Sequence, residues 1–280
     1  MQTIAVPYDF SPYAAAALDF AVQLSQKTQA KIKLIHVIEY PLATTFNVTG
    51  EVEPEETMDK IFTLQLIDKA NVKMRDVLHS YDGKAEIDQV ILMGNAYDGI
   101  TDQLEELDAD LIVMGTKGAT GLKELLVGSN TEKIVRNAHC PVLAIPEKCN
   151  ASTINDVVFA TDLDDTHGNI LKAFDEYRKQ FNAKLHLVWV DTPHNSVNED
   201  LGKERLKEIA RKNNIENYEV HIAKAFKPEE GILSFSWQIK AGMIGMSTHS
   251  HKGLIHLFVG SVAEDVVNHA KIPVWTCSIK

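Results

Sequence analysis

A chain of 280 residues, 45% hydrophobic and 24% charged, has the make-up of a folded globular protein and not of a disordered or membrane chain. Its net charge of −11 argues against wholesale binding to nucleic acid or anionic membrane, both of which reward basic surfaces. The length suits two domains of ordinary size.

The charge is uneven: residues 1–148 hold 13 Lys and Arg against 22 Asp and Glu, and the remainder 15 against 17. An anionic ligand must therefore be held mainly by backbone groups. Three scattered cysteines, Cys140, Cys149 and Cys277, give neither a disulfide framework nor a zinc pattern and suit a reducing cytoplasm. The start, MQTIAVPYDF, lacks a basic leader and reads as a first strand, which makes the expected location cytoplasmic.

Residues 3–8 form a short β-branched and apolar run that ends at Asp9; Ser11 and Pro12 then supply a helix cap and a first-turn proline. Ala14, Ala17, Leu18, Ala21, Val22 and Leu24 recur at helical spacing, which predicts a helix to about residue 27. A strand over 31–38 completes a βαβ unit. Residues 41–54 read as an irregular loop or lid, followed by a long helix over 55–79. Strands over 87–92, 111–114 and 141–145 alternate with helices over 97–107 and 129–138. This alternation predicts an open parallel sheet covered on both faces, with ligands at the carboxyl ends of the strands. Asp9 ends the first strand and a glycine loop follows the fourth, so the two share one crevice if those strands are neighbours. Asp9 is equally readable as a turn residue or an alternative helix cap.

That glycine loop lies in the stretch LIVMGTKGATGLKELLVGS, residues 111–129, with glycines at 115, 118, 121 and 128. Glycine permits positive φ and close approach of a ligand, and the start of the next helix offers unpaired N–H groups to an anion. The spacing fits neither the Walker nor the Rossmann pattern. A structural alternative stands beside the phosphate reading: Ser129 and Glu132 fit a capping box, in which the serine oxygen serves a backbone N–H instead of a ligand.

The chain repeats itself. A shift of 132 residues places Val127-Gly128-Ser129 on Val259-Gly260-Ser261, Met114 on Met246 and Gly99-Ile100 on Gly231-Ile232, and it matches Glu132, Val135, Ala138 and Pro141 with Glu264, Val267, Ala270 and Pro273. Asp9 and Val37 correspond to Asp162 and Val190 at an offset of 153. Domains over 1–147 and 151–280 follow, joined by so short a linker that the halves should pack as a pseudo-symmetric pair. The second copy replaces Gly115 by Ser247 and Gly118 by Ser250, so its nucleotide motif reads as degenerate. His249, His251 and His256 flank that altered loop without a paired carboxylate or cysteine; they read as solvated side chains, and no metal site is assigned.

The Asp-ended strands VPYD and FATD, the stretches MGTKGATGLKELLVGS and MSTHSHKGLIHLFVGS, and the strand HCPVLAIP together resemble the universal stress protein (UspA-like) family in its tandem form. The resemblance covers essentially the whole chain, and G-x2-G-x9-G-[S/T] is the pattern of its ATP-binding members. It implies two tandem α/β domains, each an open, Rossmann-like sheet of five parallel strands of the adenine nucleotide alpha hydrolase-like type. It also implies a stress-response protein that binds ATP, ADP or AMP, with or without magnesium, in the first domain. Asp9 would meet the ribose or adenine and Val37 the base through its backbone. Gly115, Gly118, Gly128, Ser129, Asn130 and Thr131 would surround the phosphates, with Pro7 and Met114 beside them. The second domain would serve as pseudo-dimer partner. A homodimer and an unidentified protein partner are compatible with this reading, as are a nucleotide-independent interaction module and an ATP-dependent enzyme. The sequence presents no recognisable catalytic residue, so hydrolysis would be weak at most.

Overall fold

The computed structural model describes residues 1–39, 56–118, 127–163, 168–248 and 261–278. The expected loop at 41–54 lies outside them. The first half runs β1 (Thr3–Pro7), α1 (Pro12–Thr28), β2 (Lys31–Ile38), α2 (Glu56–His79), β3 (Ile87–Met93), α3 (Ala96–Glu106), β4 (Leu111–Gly115), α4 (Ser129–Asn137) and β5 (Val142–Ile145). The second repeats the plan with β6 (Asp156–Ala160), α5 (Gly168–Arg178), β7 (Lys184–Asp191), α6 (Glu199–Lys212), β8 (Tyr218–Lys224), α7 (Pro228–Gln238), β9 (Met243–Ser247), α8 (Ser261–His269) and β10 (Val274–Cys277).

The two five-stranded sheets join at their edges. All ten strands form one sheet in the order β3-β2-β1-β4-β5-β10-β9-β6-β7-β8. Pairing within each half is parallel, and the seam between β5 and β10 is antiparallel, with Trp275 opposite Leu143 and Thr276 opposite Val142. A rotation of one half onto the other requires this: two equivalent edge strands meeting across a pseudo-two-fold axis must run in opposite directions. The seam also removes an exposed edge from each half.

Burial follows the strand period. Ile4, Val6, Leu34, Val113, Leu143 and Trp275 face a core under α1, α2, α5 and α6, to which Phe20, Met74, Phe174 and Leu206 contribute. Ala5, Ile35, Ile112, Met114, Ala144 and Val274 face a second core under α3, α4, α7 and α8. Each core runs through both halves. The expected start of α1 is present: Ser11 Oγ accepts the Ala14 N–H at 3.1 Å, with Pro12 in the first turn.

One charged group is enclosed on the α5 side. Arg178 donates to Asp175 Oδ1 at 2.7 Å and to the carbonyls of Ala183 and Glu216, while Lys179 reaches Asp175 Oδ2 at 2.7 Å. Both members of the Asp175–Arg178 pair are at most 4% exposed. Removing one partner leaves a buried charge short of its counter-ion, at a cost of about 3–5 kcal/mol. Arg178→Ala should lower the unfolding free energy in urea by about 3 kcal/mol, the low end because Lys179 stays on Asp175. A loss below about 0.5 kcal/mol would show that the pair is not enclosed.

Candidate functional site

The strand order places β1 beside β4, and between them the chain reverses its direction of sheet growth. Pro7, buried, closes β1 opposite Ile35, and the strand's last exit leads directly to Asp9. Phe10 follows with φ of 64°. A bulky residue rarely accepts that region, at about 1–3 kcal/mol. Here the ring is pinned edge-on by Tyr8 at 5.4 Å and His36 at 4.7 Å, with the Lys73 ammonium 5.2 Å from its centroid. The turn aims the Asp9 carboxylate back at the chain, where Oδ1 accepts the Ser11 N–H at 2.9 Å. Leu163, one residue after Asp162, has φ of 65°. The same strained turn is thus kept in both halves. Neither was foreseen from sequence, where a bulky residue gives no sign of positive φ.

Across the crevice, Met114 is buried within β4 and Gly115 ends the strand. A Cβ on Gly115 would lie 2.7 Å from the Tyr13 carbonyl carbon and 2.8 Å from its Cβ. Gly115 is therefore required by the packing of α1 on β4, whatever binds nearby. Gly118 differs: a Cβ there would meet one described neighbour within 4 Å, Asp9 Oδ2 at 3.0 Å. Neither glycine takes positive φ; among the described residues Gly83 and Gly94 do. Close approach, and not unusual backbone conformation, is what Gly118 provides.

The capping-box reading of Ser129 is corrected. Gly128 is the N-cap of α4, with φ −63° and ψ 141° and no side-chain hydrogen bond, and Ser129 is the first helical residue. A glycine held in place by its own N–H, which donates to Thr116 O at 2.8 Å, leaves the cap bare. Glu132 N–H is the first to reach an acceptor inside the helix, Gly128 O at 3.0 Å. The N–H groups of Ser129, Asn130 and Thr131 have none there. Thr131 Oγ1 is committed elsewhere, donating to Gly115 O at 3.0 Å, and its side chain is buried. Its hydroxyl locks α4 to the end of β4 and leaves its backbone to serve a ligand. Gly121 lies outside the described residues, but Gly118 and Gly128 are neighbours: a Cβ on Gly128 would sit 3.6 Å from Gly118 N. Asp9, Gly118, Gly128 and the first turn of α4 thus form one continuous lining.

Val37 stands on β2 opposite Leu92, partly buried above Gly99. Backbone groups in a strand alternate sides, so Val37 points its N–H and C=O the same way as Ile35, toward β1. Ile35 O there accepts the Tyr8 N–H at 2.7 Å, but the β1 register stops at Pro7. The ladder supplies no partner for Val37 on that side. The other half repeats the arrangement, with Thr161 N–H on Val188 O at 3.0 Å and Val190 next along.

The second half reaches into this region. Asn268 Oδ1 accepts the Val127 N–H at 2.7 Å, and Arg136 pairs with Glu264 at 2.9 Å. By the repeat, Arg136 and Asn268 are equivalent positions, so α4 and α8 meet across the pseudo-two-fold axis with unlike residues. Burial, and then the neighbouring Glu132, hold the Glu264 carboxyl above the usual range, with Arg136 opposing. In the second half Ser247 ends β9, while Ser250, Gly253, Gly260 and the three loop histidines lie outside the described residues.

The cysteines are free and offer no nucleophile. Burial pushes Cys140 and Cys149 up to about 12 and Cys277 to about 11, where the reactive thiolate is scarce. Ellman's reagent at pH 8 should label the native protein about a hundredfold more slowly than the urea-unfolded chain. Rapid native labelling of any cysteine would contradict this environment.

The comparisons with known proteins agree with this architecture. The profile of the Universal stress protein family matches residues 1–146 and 153–278. The chain is similar to universal stress protein YxiE of Bacillus subtilis, 31% identical over 147 residues, which are 50% of this chain and 95% of that protein. Universal stress protein Slr1230 of Synechocystis is 25% identical over 295 residues and spans 99% of both chains. Among solved structures, a universal stress protein from Archaeoglobus fulgidus shares the fold with a TM-score of 0.76 at 20% identity, covering 99% of this chain and 98% of the other. The chain belongs to the universal stress protein family, as two family domains in tandem.

Proposed function

We propose that the first domain, residues 1–147, binds an adenine nucleotide in the crevice at the carboxyl ends of β1, β2 and β4, and that the second domain, 151–280, holds that crevice in shape. The observation that carries this reading is the bare N-cap at Gly128. A helix start whose first N–H groups have no acceptor among the described residues, beside a glycine that presents no side chain, suits a phosphate. Backbone donors are what an acidic domain needs for an anion. Asp9 accepts hydrogen bonds only, which fits ribose hydroxyls better than phosphate oxygens. The Val37 backbone, pointing past the end of β1, offers one donor and one acceptor to the edge of the base.

Gly115 and the Thr131 hydroxyl serve the frame in this account, and the ligand contacts fall to Asp9, Val37, Gly118, Gly128, Ser129, Asn130 and the Thr131 backbone. Pro7 and Met114 close the strands beneath them. The second domain acts through Asn268, whose hold on Val127 N–H fixes the residue that leads into the cap. Its own Ser250 stands where the first domain has Gly118, so binding is assigned to the first domain. The site binds and positions; no described residue is assigned as nucleophile or base. The role that follows is that of a nucleotide-responsive stress protein of the cytoplasm.

Calorimetric titration of the full chain with ATP and with AMP tests the reading. Saturable binding at or below roughly millimolar Kd is expected for at least one, and Gly118→Val should weaken it at least about tenfold, or 1.4 kcal/mol. The variant's circular dichroism should match the parent, because among the described residues a Cβ on Gly118 meets no backbone within 4 Å and only the Asp9 carboxylate oxygen. Absence of binding by the unaltered chain, or equal binding by a folded Gly118→Val, would refute the assignment.

A further inference from the structure

A second constellation stands in the second domain, on strands remote in sequence from the glycine loop. His186 on β7 lies opposite Glu219 on β8, and His221 is two residues further along β8, so the three share one face of the sheet. Their heteroatoms converge. His186 Nδ1 is 3.1 Å from His221 Nε2, and each of these nitrogens is 3.6 Å from Glu219 Oε2. A point equidistant from all three lies about 2.0 Å from each, which is the bond length of zinc to imidazole nitrogen and carboxylate oxygen.

Each ligand is also held from behind. Asp156 Oδ1 meets His186 Nε2 at 2.8 Å; a carboxylate there fixes the proton on Nε2 and leaves the Nδ1 lone pair directed at the other two, the usual support of a metal-bound histidine. Lys184 binds Glu219 Oε1, which leaves Oε2 for the centre. Phe235 on α7 packs against both imidazoles, at 4.8 Å from His221 and 6.5 Å from His186. Burial and the neighbouring His186 lower the His221 pKa and so disfavour its charged form. His186 is nearly enclosed at 7% exposure, whereas half of Glu219 faces solvent, leaving an open side for water or a further ligand.

We propose that His186, Glu219 and His221 form a binding site for a borderline divalent transition-metal ion such as Zn2+, with Asp156 and Lys184 orienting the ligands. Two imidazoles and one carboxylate are the donor set such ions take. The site is peculiar to the second half. Strand register equates His186, Glu219 and His221 with Lys33, Asp88 and Val90, and there Lys33 and Asp88 simply form an ion pair. The second domain, with Ser250 in place of Gly118, thus has a cation site of its own, which clips the sheet's edge strand β8 to β7. The proposal is independent of nucleotide binding in the first domain.

The test is titration of the full, chelator-stripped chain with Zn2+ alone, without nucleotide, in competition with a chromophoric chelator. One tight equivalent per chain is expected, together with a raised thermal midpoint of unfolding. His221→Gln and Glu219→Gln, both at solvent-accessible positions and so able to fold, should each weaken that equivalent at least about tenfold, and Asp156→Asn about 10- to 100-fold. Cobalt in place of zinc should give visible absorption bands that vanish in His221→Gln. Failure of the parent chain to bind one equivalent, or unchanged binding in both folded variants, would overturn the proposal. The second outcome would put the metal elsewhere.

Discussion

The approach of α1 to the end of β4 sets the geometry of everything at the mouth of the first domain. With a hydrogen in place of a side chain at Gly115, the Tyr13 backbone lies close against the strand; a methyl group would overlap it at 2.7 Å. That contact draws the turn after β1 toward the loop after β4. Asp9, at the turn, comes to face Gly118, at the loop. Thr131 then ties α4 to the same strand end through the Gly115 carbonyl, so the helix terminus, the glycine and the carboxylate share one frame. The strained Phe10 is the local cost, offset by its aromatic neighbours and by burial that only the correct turn permits.

The second domain is more than a repeated fold. Its sheet continues the first through an antiparallel seam, its core is continuous with the first on both faces, and Asn268 holds the backbone just before Gly128. Duplication lets the copies diverge where they do not bear on the common sheet. The turn strain at Phe10 and Leu163 is retained, because it belongs to the way a strand leads into its helix. Neither Gly115 nor Gly118 has a counterpart glycine: Ser247 and Ser250 stand in their places. Likewise Arg136 and Asn268, equivalent by descent, now have different tasks across the axis.

Much of this was legible in the sequence. Parallel strands buried on both faces read as continuous apolar runs, which is why β4 was bounded to within one residue, and the Ser11-Pro12 signal marked the start of α1. The repeat announced the pairing of the halves, although it could not show that their edges join into one sheet. Sequence placed the helix start at 129 correctly, but the capping box it offered as the alternative to a phosphate site put the cap one residue late: serine is the better capping residue in general, but the chain's path through Gly128 N–H and Thr116 O decides where the helix begins. It also treated Gly115 and Gly118 as one signal. Their difference lies in what stands opposite each, the Tyr13 backbone or the Asp9 carboxylate, and that depends on tertiary contact. The His186, Glu219 and His221 cluster was hidden for a similar reason. Its members are spread over 35 residues on two strands, and only strand register makes them neighbours. The alternating polar residues of YEVHIAK and KLHLVWVD were the available signal.

The most direct test of the nucleotide account reads the backbone itself. In an amide-resolved NMR titration of the full chain with ATP, the largest shifts should fall on the N–H groups of Gly118, Gly128, Ser129 and Asn130 and on Val37. The corresponding strand ends of the second domain, around Ser247 and Val190, should stay nearly unmoved. Shifts confined to the second domain, or spread over the surface with none at the start of α4, would contradict it.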